Sequence, residues 1–474
     1  MSPALALLCL VGLAQAQSVR PVAPSDLVPG ISAQAQPGDL LLESAGGIRF
    51  VVSAPERRAG LQATGGNLVD VHPADVGDVF DGMTPWFDRR YPRQAAWSKV
   101  EAGPDFVRSR GVDTDDAELA VEQVLQLVAD PSVPGHLRIR TTVTNRGALP
   151  RPGHDLGDII GWGGLQHFAP GPGFALAGTD APLPWVGAEG EDYALLLVAA
   201  EPLSGPHGAS WSDPVYTVVD LAPGASHTYE RHLLVGRTLG ELAGTAAAIQ
   251  GRAVQAVELQ ARDAATGEPV ADAQLIVRGA AGTSMLGRTD ASGRLRTALA
   301  PGSYRLGGHA RGRVRVAEVD LQVPAVGASV GGATLQFSPP GRIRLVATDG
   351  QDQPMPARFT FVGVDRPDPD LGPPSRAIGG NRVHLASPEQ VALPPGRYRV
   401  TVSRGPAWSL VTREVTVRPA VAGEDPSELH VSLQRLVAKD GWLQCDLHTH
   451  AAPSFDSAIP LEDGLIAAAA EGVD

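Results

Sequence analysis

The sequence predicts a mainly β protein with several domains. The chain has 474 residues, and at roughly 100–200 residues per domain this length corresponds to about three or four domains. It contains 55 glycines and 41 prolines, which interrupt helices and form the tight turns of antiparallel sheets. Hydrophobic residues make up 43% of the chain, enough to bury several cores. Short apolar runs with β-branched residues recur between turn residues, as at 48–52, 137–143, 193–198 and 216–221.

The charge of the chain excludes one class of partner. It carries 52 Asp and Glu against 39 Lys and Arg, a formal net charge of −13 at pH 7. Proteins that bind nucleic acid use a basic stripe to displace the counterions of the phosphates, and no such stripe stands out here. We therefore expect no nucleic acid as the main partner.

Residues 1–16 carry the pattern of a secretory signal peptide. Residues 4–12 (ALALLCLVG) form a short apolar run, and Ala14-Gln15-Ala16 follows as a small-x-small cleavage site. The run is too short to span a bilayer, and no other apolar stretch approaches 18 residues, so no membrane span is expected. The first three residues lack Lys and Arg, which leaves a mis-assigned start codon or a buried N-terminal segment as the alternative. We expect a periplasmic or extracellular chain with Cys445 as its sole cysteine and no intramolecular disulfide.

Composition divides the next part of the chain into three segments. Residues 17–37, rich in Pro, Ser, Ala and Gln, are predicted to form a loose leader. Residues 38–237 hold the short apolar runs of one large antiparallel β-sandwich domain. They resemble the galactose-mutarotase-like supersandwich, but no catalytic residue of that family can be matched. Residues 238–252 (TLGELAGTAAAIQGR) are rich in Ala and Leu and predict a helical connector.

Two smaller β units follow, at residues 253–325 and 326–437, and they share a turn motif. Residues 299–304 (LAPGSY) and 393–398 (LPPGRY) both fit the pattern L-x-P-G-x-Y. Pro fixes φ and Gly accepts the positive φ of a tight turn, after which the Tyr opens a strand. Alternation then places Tyr398, Val400 and Val402 on one face that meets a core. Both units resemble the carboxypeptidase regulatory-like, prealbumin-type β-sandwich, an immunoglobulin-like architecture, which implies a spacer or a binding module.

The C-terminal segment, residues 438–474, carries the residues that point to chemistry. In the stretch GWLQCDLHTH (441–450), an extended strand would place Asp446, His448 and His450 on one side. Cys445 would lie on the opposite side, where we expect a buried structural thiol. Two imidazoles two residues apart can bind one divalent cation, and Asp456 follows on a loop that could return to it. An Ala-rich helix is predicted over residues 461–472, so strand, loop and helix follow one another as in a βα barrel.

The string DLHTHAAPSFDS (446–457) resembles the first motif of the PHP (polymerase and histidinol phosphatase) family of metal-dependent phosphoesterases. A β-rich exported region followed by GWLQCDLH is most similar to the CehA/McbA branch. The resemblance implies a seven-stranded βα barrel that holds up to three Zn, Mn or Fe ions, with His448, His450 and Asp456 as metal ligands. A metal-activated water would attack a phosphoester or another hydrolysable bond of a small-molecule or polymeric ester substrate. The chain ends at Asp474, whereas a βα barrel takes about 250 residues. We therefore expect a truncated barrel, and a chain that is an inactive N-terminal fragment of an exported hydrolase.

Other interpretations of this motif and of the whole chain stay open. The histidine segment could be a polar loop without a metal, or the start of an amidohydrolase-type barrel, which also begins with H-x-H. The whole chain could instead be a non-catalytic secreted β-sandwich protein that binds carbohydrate or a cell-surface partner. The sequence identifies neither a catalytic residue beyond the metal ligands nor an oligomeric state.

A second polar cluster lies in the large β domain. Its members combine side chains that can bind a sugar or support acid–base catalysis: His154, Asp155, Asp158, Trp162 and His167. We favour the simpler interpretation, in which these are loop residues that satisfy local hydrogen bonds.

Overall fold

The computed structural model describes residues 17–60, 62–174, 176–208, 210–280, 282–325, 327, 332–371, 380–421, 423–438, 441–451, 457 and 459–474. Over these residues the protein is mainly β and is built from several sandwiches, as the sequence predicts. The predicted signal peptide at 1–16 and the predicted metal ligand Asp456 lie outside the described residues. None of the described helices has the length and apolar character needed to cross a membrane.

The N-terminal body is a sandwich of two large antiparallel sheets. Its described strands, in chain order, are β1 (Ser18–Pro21), β2 (Leu40–Glu43), β3 (Ile48–Val52), β4 (Leu68–Pro73), β5 (Gly82–Phe87), β6 (Ala95–Ala102), β7 (Phe106–Asp113), β8 (Leu119–Leu127), β9 (Gly135–Asn145), β10 (Arg151–Gly161), β11 (Gln166–Phe168), β12 (Val186–Glu189), β13 (Ala194–Val198), β14 (Trp211–Ser212), β15 (Val215–Leu221) and β16 (Ser226–Gly236). The first sheet has the order β1-β2-β3-β4-β5-β10-β14, and β15 also pairs with β10. The second sheet has the order β11-β12-β13-β16-β9-β8-β7-β6.

The two sheets pack face to face around a hydrophobic core. Strand β9 shows how the sequence produces this arrangement, because Leu137 and Ile139 are buried and alternate with polar residues. Phe50 of β3 enters the same core from the opposite sheet. Successive side chains of a strand point to opposite faces, so Arg138 and Arg140 lie on the outer surface of the second sheet.

Residues 17–37 belong to the N-terminal body, and the loose leader predicted for them is wrong. Strand β1 pairs antiparallel with β2, with Ser18 opposite Glu43. The backbone N–H groups of Gln34 and Ala35 donate hydrogen bonds of 2.8 Å to the buried carboxylate of Asp70. Composition missed these interactions because each of them joins residues that are distant in sequence.

Helix α1 (Leu239–Ile249) forms within the stretch for which a helical connector is predicted. The side chain of Thr238 caps the helix by accepting a hydrogen bond of 3.3 Å from the backbone N–H of Glu241. Leu242 and Ala246 are fully buried in a core that also contains residues of the N-terminal body and of the next sandwich. The connector therefore joins two bodies through a common core.

Two smaller sandwiches follow, and they have the same topology. The second sandwich contains β17 (Gln255–Asp263), β18 (Gln274–Gly279), β19 (Gly282–Arg288), β20 (Arg294–Leu299), β21 (Gly302–His309), β22 (Val316–Val323) and β23 (Ala333–Phe337). The third contains β24 (Arg342–Thr348), β25 (Ala357–Gly363), β26 (Arg382–Leu385), β27 (Glu389–Ala392), β28 (Gly396–Ser403), β29 (Val411–Val417) and β30 (Ser427–Ser432). The orders β20-β17-β23 and β19-β18-β21-β22 are matched by β27-β24-β30 and β26-β25-β28-β29. The similarity that the shared turn motif predicts therefore extends to the strand order.

The tyrosine of each turn motif ties the turn to the strand that follows it. The hydroxyl of Tyr304 donates a hydrogen bond of 2.8 Å to the carbonyl of Ala300. The hydroxyl of Tyr398 donates in the same way to the carbonyl of Pro394, at 2.7 Å. Tyr398 is fully buried with the alternate residues of β28, so the predicted core-facing side of this strand is confirmed.

The boundary predicted between the two small sandwiches, after residue 325, is wrong. Strand β23 lies beyond that point but pairs with β17 of the second sandwich, and its Phe337 is fully buried there. The pairing joins the first and last strands of the unit, which a local pattern cannot reveal. The third sandwich contacts the second through the backbone N–H of Gly341, which donates to the carbonyl of Gly312 at 2.8 Å.

The C-terminal segment confirms one predicted element and corrects another. Helix α2 (Leu461–Ala470) forms where a helix is predicted. The strand predicted over residues 441–450 is wrong, because the described backbone there forms turns and irregular structure. Cys445 is exposed, and the prediction of a buried thiol is therefore wrong as well. Alternating side chains become buried only when a strand pairs and packs, and residues 441–451 form no such pairing within the described part of the chain.

Candidate functional site

His448 and His450 lie together on the surface of the C-terminal segment. Their Nε2 atoms are 2.8 Å apart, and their rings stack with centroids 4.9 Å apart. Both residues are exposed to solvent. The carboxylate of Asp446 accepts a hydrogen bond of 3.1 Å from the backbone N–H of His448. Asp446 therefore shapes the turn that presents the two imidazoles.

The donor set fits a divalent cation in part. In a tetrahedral zinc site with Zn–N bonds of about 2.0–2.1 Å, two ligand nitrogens are roughly 3.3 Å apart, whereas these Nε2 atoms lie at the shorter distance of a direct hydrogen bond. Within the described ranges, no group of three His, Cys, Asp or Glu side chains is placed to hold a metal. Asp456, the third predicted ligand, lies outside those ranges. The geometry thus offers His448 and His450 as two candidate ligands.

Polar contacts attach this segment to the third sandwich. The carboxylate of Glu471, just after α2, accepts a hydrogen bond of 2.7 Å from Arg358 Nη1. The same oxygen lies 2.9 Å from Nε2 of the buried His384. The backbone N–H of Gln444 donates to the carboxylate of Asp474 at 2.9 Å, which ties the start of the segment to its end.

Apolar packing contributes little to this attachment. Trp442, Leu443 and Leu447 are each more than three-quarters exposed, and Ala470 is the buried residue of α2. Polar contacts, those of Glu471 among them, therefore hold the segment that carries the histidine pair against the third sandwich.

The second polar cluster predicted from the sequence is largely part of a strand and not of a loop. His154, Asp155 and Asp158 lie on β10. Asp158 is fully buried and accepts hydrogen bonds from Arg231 and from the hydroxyl of Tyr216. Its partners come from distant strands, so the expectation of local hydrogen bonds is wrong for this residue.

His154 and Asp155 clamp β10 to the turn that follows β5. Nδ1 of His154 is 2.7 Å from Oδ1 of Asp88, and its ring stacks on Phe87 with centroids 5.7 Å apart. Nε of Arg89 donates to the carboxylate of Asp155 at 3.1 Å. Both side chains therefore stabilise the packing of β10 against the turn after β5.

Trp162 and His167 lie near two residues that the sequence analysis missed. The indole N–H of Trp162 donates to Oγ of Ser212 at 2.8 Å, and Nδ1 of His207 is 2.9 Å from the same oxygen. Burial, together with the nearby His167, lowers the pKa of His207 to about 4. Sequence reasoning could not have selected His207, because the bridge that brings it to Ser212 forms within an irregular segment.

A second feature that the sequence analysis missed is an open cavity on the outer face of the second sheet. Its volume is about 320 Å³. We call it the arginine slot, and its main lining residues are Phe106, Arg108, Glu122, Val124, Arg138 and Arg140. The sequence contains one indication of this cavity, because arginines occupy alternate positions in two strand-length segments, 106–112 and 137–143. The arginine pattern does not predict that the two segments pair with β8 on either side.

Comparisons with known proteins give low similarity. No protein-family model matches this sequence, and no curated protein matches it. The chain is similar to a streptococcal ancillary pilin at 13% identity, covering 49% of this chain and 80% of that one, with a TM-score of 0.23. The TIE protein of Bacillus anthracis matches at 10% identity, over 88% of this chain and 58% of that one, with a TM-score of 0.18. A putative aldose 1-epimerase from Escherichia coli K12 matches at 13% identity, over 40% of this chain and 97% of that one, with a TM-score of 0.28.

Proposed function

We propose that this protein is an exported, non-catalytic array of β-sandwiches that binds a carbohydrate or a cell-surface partner. The observation that carries the proposal is the shared core at helix α1. Leu234 of the N-terminal body and Leu295 of the second sandwich belong to one buried cluster, together with Leu242 of α1. Export rests on the signal-peptide pattern of residues 1–16.

A direct backbone contact supports the same fixed arrangement. The N–H of Gly171 in the N-terminal body donates to the carbonyl of Thr283 in the second sandwich at 2.6 Å, and the reciprocal bond measures 3.2 Å. Domains that share a large hydrophobic interface keep a fixed relative orientation. Such an array holds its outer sheet faces at set positions, which suits the recognition of an extended ligand or of another surface.

Polysaccharide binding and hydrolysis, measured on the same preparation, test this proposal. We expect saturable binding of the purified chain to at least one member of a panel of cellulose, chitin, peptidoglycan, alginate and polygalacturonate. We also expect that binding to be insensitive to EDTA, with no hydrolysis of bis(p-nitrophenyl) phosphate above the level of the H448A/H450A double variant. Metal-dependent hydrolysis that disappears in this variant, without binding to any panel member, would contradict the proposal.

The histidine pair favours a second candidate function, metal-dependent hydrolysis. The supporting observation is that two exposed imidazoles, those of His448 and His450, lie side by side in the C-terminal segment. The string around them resembles the first motif of the PHP phosphoesterases, in which the bound metal supplies an activated water. In this interpretation the two histidines hold the ion, Asp446 shapes their turn, and the third sandwich positions the segment.

Metal binding tests this second candidate without relying on activity. We expect the chain to retain Zn²⁺ or Mn²⁺ after gel filtration, measured by elemental analysis, and the H448A/H450A variant to lose it. The matched control is H227A/H430A, which also removes two histidines. Equal metal content in the two double variants would contradict the assignment of His448 and His450 as ligands.

A further inference from the structure

The arginine slot is built across three neighbouring strands of the second sheet. The pairing register places Arg140 of β9 opposite Val124 of β8, and Val124 opposite Arg108 of β7. Neighbouring strands are separated by about 4.8 Å, so the backbones of the two arginines are about 10 Å apart. The short side chain of Val124 between two long ones leaves a depression whose walls are guanidinium groups.

The two wall arginines keep most of their hydrogen-bonding capacity. Nε of Arg108 is 3.8 Å from Glu122, and Nε of Arg140 is 3.5 Å from Glu230. Among the described residues, neither guanidinium forms a hydrogen bond. Glu122 bonds instead with Arg110, at 2.7 Å. Nε of Arg108 is buried, so an incoming acceptor would meet that arginine at its terminal nitrogens.

Other side chains orient the slot and extend it along the sheet. The guanidinium of Arg108 lies over the ring of Phe106, 5.2 Å from its centroid, an arrangement that holds the cation in place. Arg138, two residues from Arg140 on the same face of β9, donates a hydrogen bond to Gln126. Three guanidinium groups and one carboxylate line the slot, and a second carboxylate, that of Glu230, lies beside Arg140, so the guanidinium groups outnumber the carboxylates by one although the whole chain has a net charge of −13.

The position of the slot selects the kind of ligand. Strand β8 is paired on both sides, so its backbone offers no free edge to which a peptide strand could add. Recognition must come from side chains on the face of the sheet. The planar fork of arginine matches a carboxylate with two parallel hydrogen bonds. Two such forks about 10 Å apart suit a polymer that carries carboxylates at regular intervals.

We propose that the arginine slot binds an acidic polysaccharide through its carboxylate groups, with Arg108 and Arg140 as the principal contacts. This inference deepens the proposed binding function by naming a surface and a ligand class, and it rests on that function. Because the chain as a whole is acidic, general attraction to polyanions is weak and binding depends on this local patch.

The test measures the affinity of the full chain for polygalacturonate, with dextran as the neutral probe and poly-L-glutamate as the acidic polypeptide. We expect saturable binding to polygalacturonate at 50 mM NaCl that weakens at 300 mM, and no binding to dextran. The R108A/R140A variant should lose at least tenfold in affinity. The matched control R344A/R399A removes two strand arginines of the third sandwich that are at least as exposed and have similar Glu partners at 3.7 and 3.5 Å. It should stay within twofold of the wild type.

Several results would overturn the slot assignment. Equal losses in the two double variants would show that binding follows overall charge. Tighter binding of poly-L-glutamate than of polygalacturonate would identify an acidic polypeptide as the ligand class. Failure to bind polygalacturonate would also overturn it. If another member of the polysaccharide panel still bound, the proposed function would survive while this inference would not. Circular dichroism and the melting temperature of each variant confirm that folding is unchanged.

Discussion

Asp158 and Arg231 form a bidentate ion pair that joins the two sheets of the N-terminal body. Asp158 lies on β10 of the first sheet, and Arg231 on β16 of the second. Nε and Nη2 of the arginine reach the two carboxylate oxygens at 2.7 and 2.6 Å, and both side chains are fully buried. The rings of Tyr216 and Tyr229 flank the guanidinium, with centroids 5.6 and 4.8 Å away. The cation is thus enclosed by groups that compensate its charge.

Removal of one partner of this pair should destabilise the N-terminal body strongly. We expect Asp158→Asn to lower the free energy of unfolding by about 3–5 kcal/mol, because it leaves a buried guanidinium without its counter-charge. Urea denaturation followed by tryptophan fluorescence measures the loss. Glu122→Gln, which breaks an exposed pair with Arg110, should cost about 0–1 kcal/mol. Similar losses in both variants would contradict this account of the buried pair.

Truncation of helix α1 should affect two bodies at once. Leu242 is fully buried in the core shared by the N-terminal body and the second sandwich. We expect Leu242→Ala to cost about 2–5 kcal/mol and to raise amide hydrogen exchange in both bodies. Leu410→Ala, at a position that is 64% exposed, should change stability by less than about 0.5 kcal/mol. Faster exchange in one body alone would contradict a shared core.

Acid should weaken the fold through a pair of histidines, of which His136 is buried and His232 half-buried. Nδ1 of His232 lies 2.9 Å from Nε2 of His136, and Nε2 of His232 lies 3.4 Å from Glu230. Burial and the charge of His136 lower the pKa of His232 to about 4. Between the ordinary value near 6.5 and about 4, the unfolded chain binds more protons than the folded one, so stability falls as the pH drops through this range.

Replacement of His232 should reduce that acid sensitivity. We expect the loss of stability of the His232→Gln variant between pH 7 and pH 4 to be smaller than that of the wild type by about 2 kcal/mol. His430→Gln, in the third sandwich, should behave like the wild type. Melting temperatures measured across this pH range give the comparison. A pH dependence that is the same in all three proteins would show that other groups control it.

Loss of the Glu471 carboxylate should release the C-terminal segment without unfolding the sandwiches. Each partly exposed contact with Arg358 or His384 contributes up to about 1 kcal/mol. We therefore expect Glu471→Ala to increase trypsin cleavage near residues 435–439 several-fold, with an unchanged melting temperature. Glu462→Ala, at an exposed position in the first turn of the same helix, is the control. Equal cleavage rates in the two variants would show that other contacts hold the segment.

The elements that the sequence predicted correctly are those fixed by local interactions. The turn motif is one such case, because Tyr398 bonds to a carbonyl four residues earlier. Helix α2 is another, since its Ala-rich composition has a high intrinsic helix propensity. The errors concern pairing at long range. β1 was missed because its partner β2 lies about twenty residues away, and β23 was misplaced because it returns to the first strand of its unit.

The same distinction between local and long-range interactions applies to the candidate sites. The juxtaposition of His448 and His450 was predictable, because two residues in an extended or turning chain stay within reach of each other. The exposure of Cys445 was not, because burial depends on what covers the segment. The arginine slot required the register of three strands, and a single sequence does not supply that register.

The parallel pairing of the first and last strands in both small sandwiches determines how the chain passes through them. β17 runs parallel to β23, and β24 runs parallel to β30. Adjacent strands that point the same way start at one end of a unit and finish at the other. The polypeptide therefore enters each module at its base and departs at its tip. Duplication or deletion of such a unit would lengthen or shorten the reach of the molecule in fixed increments without reversing its course.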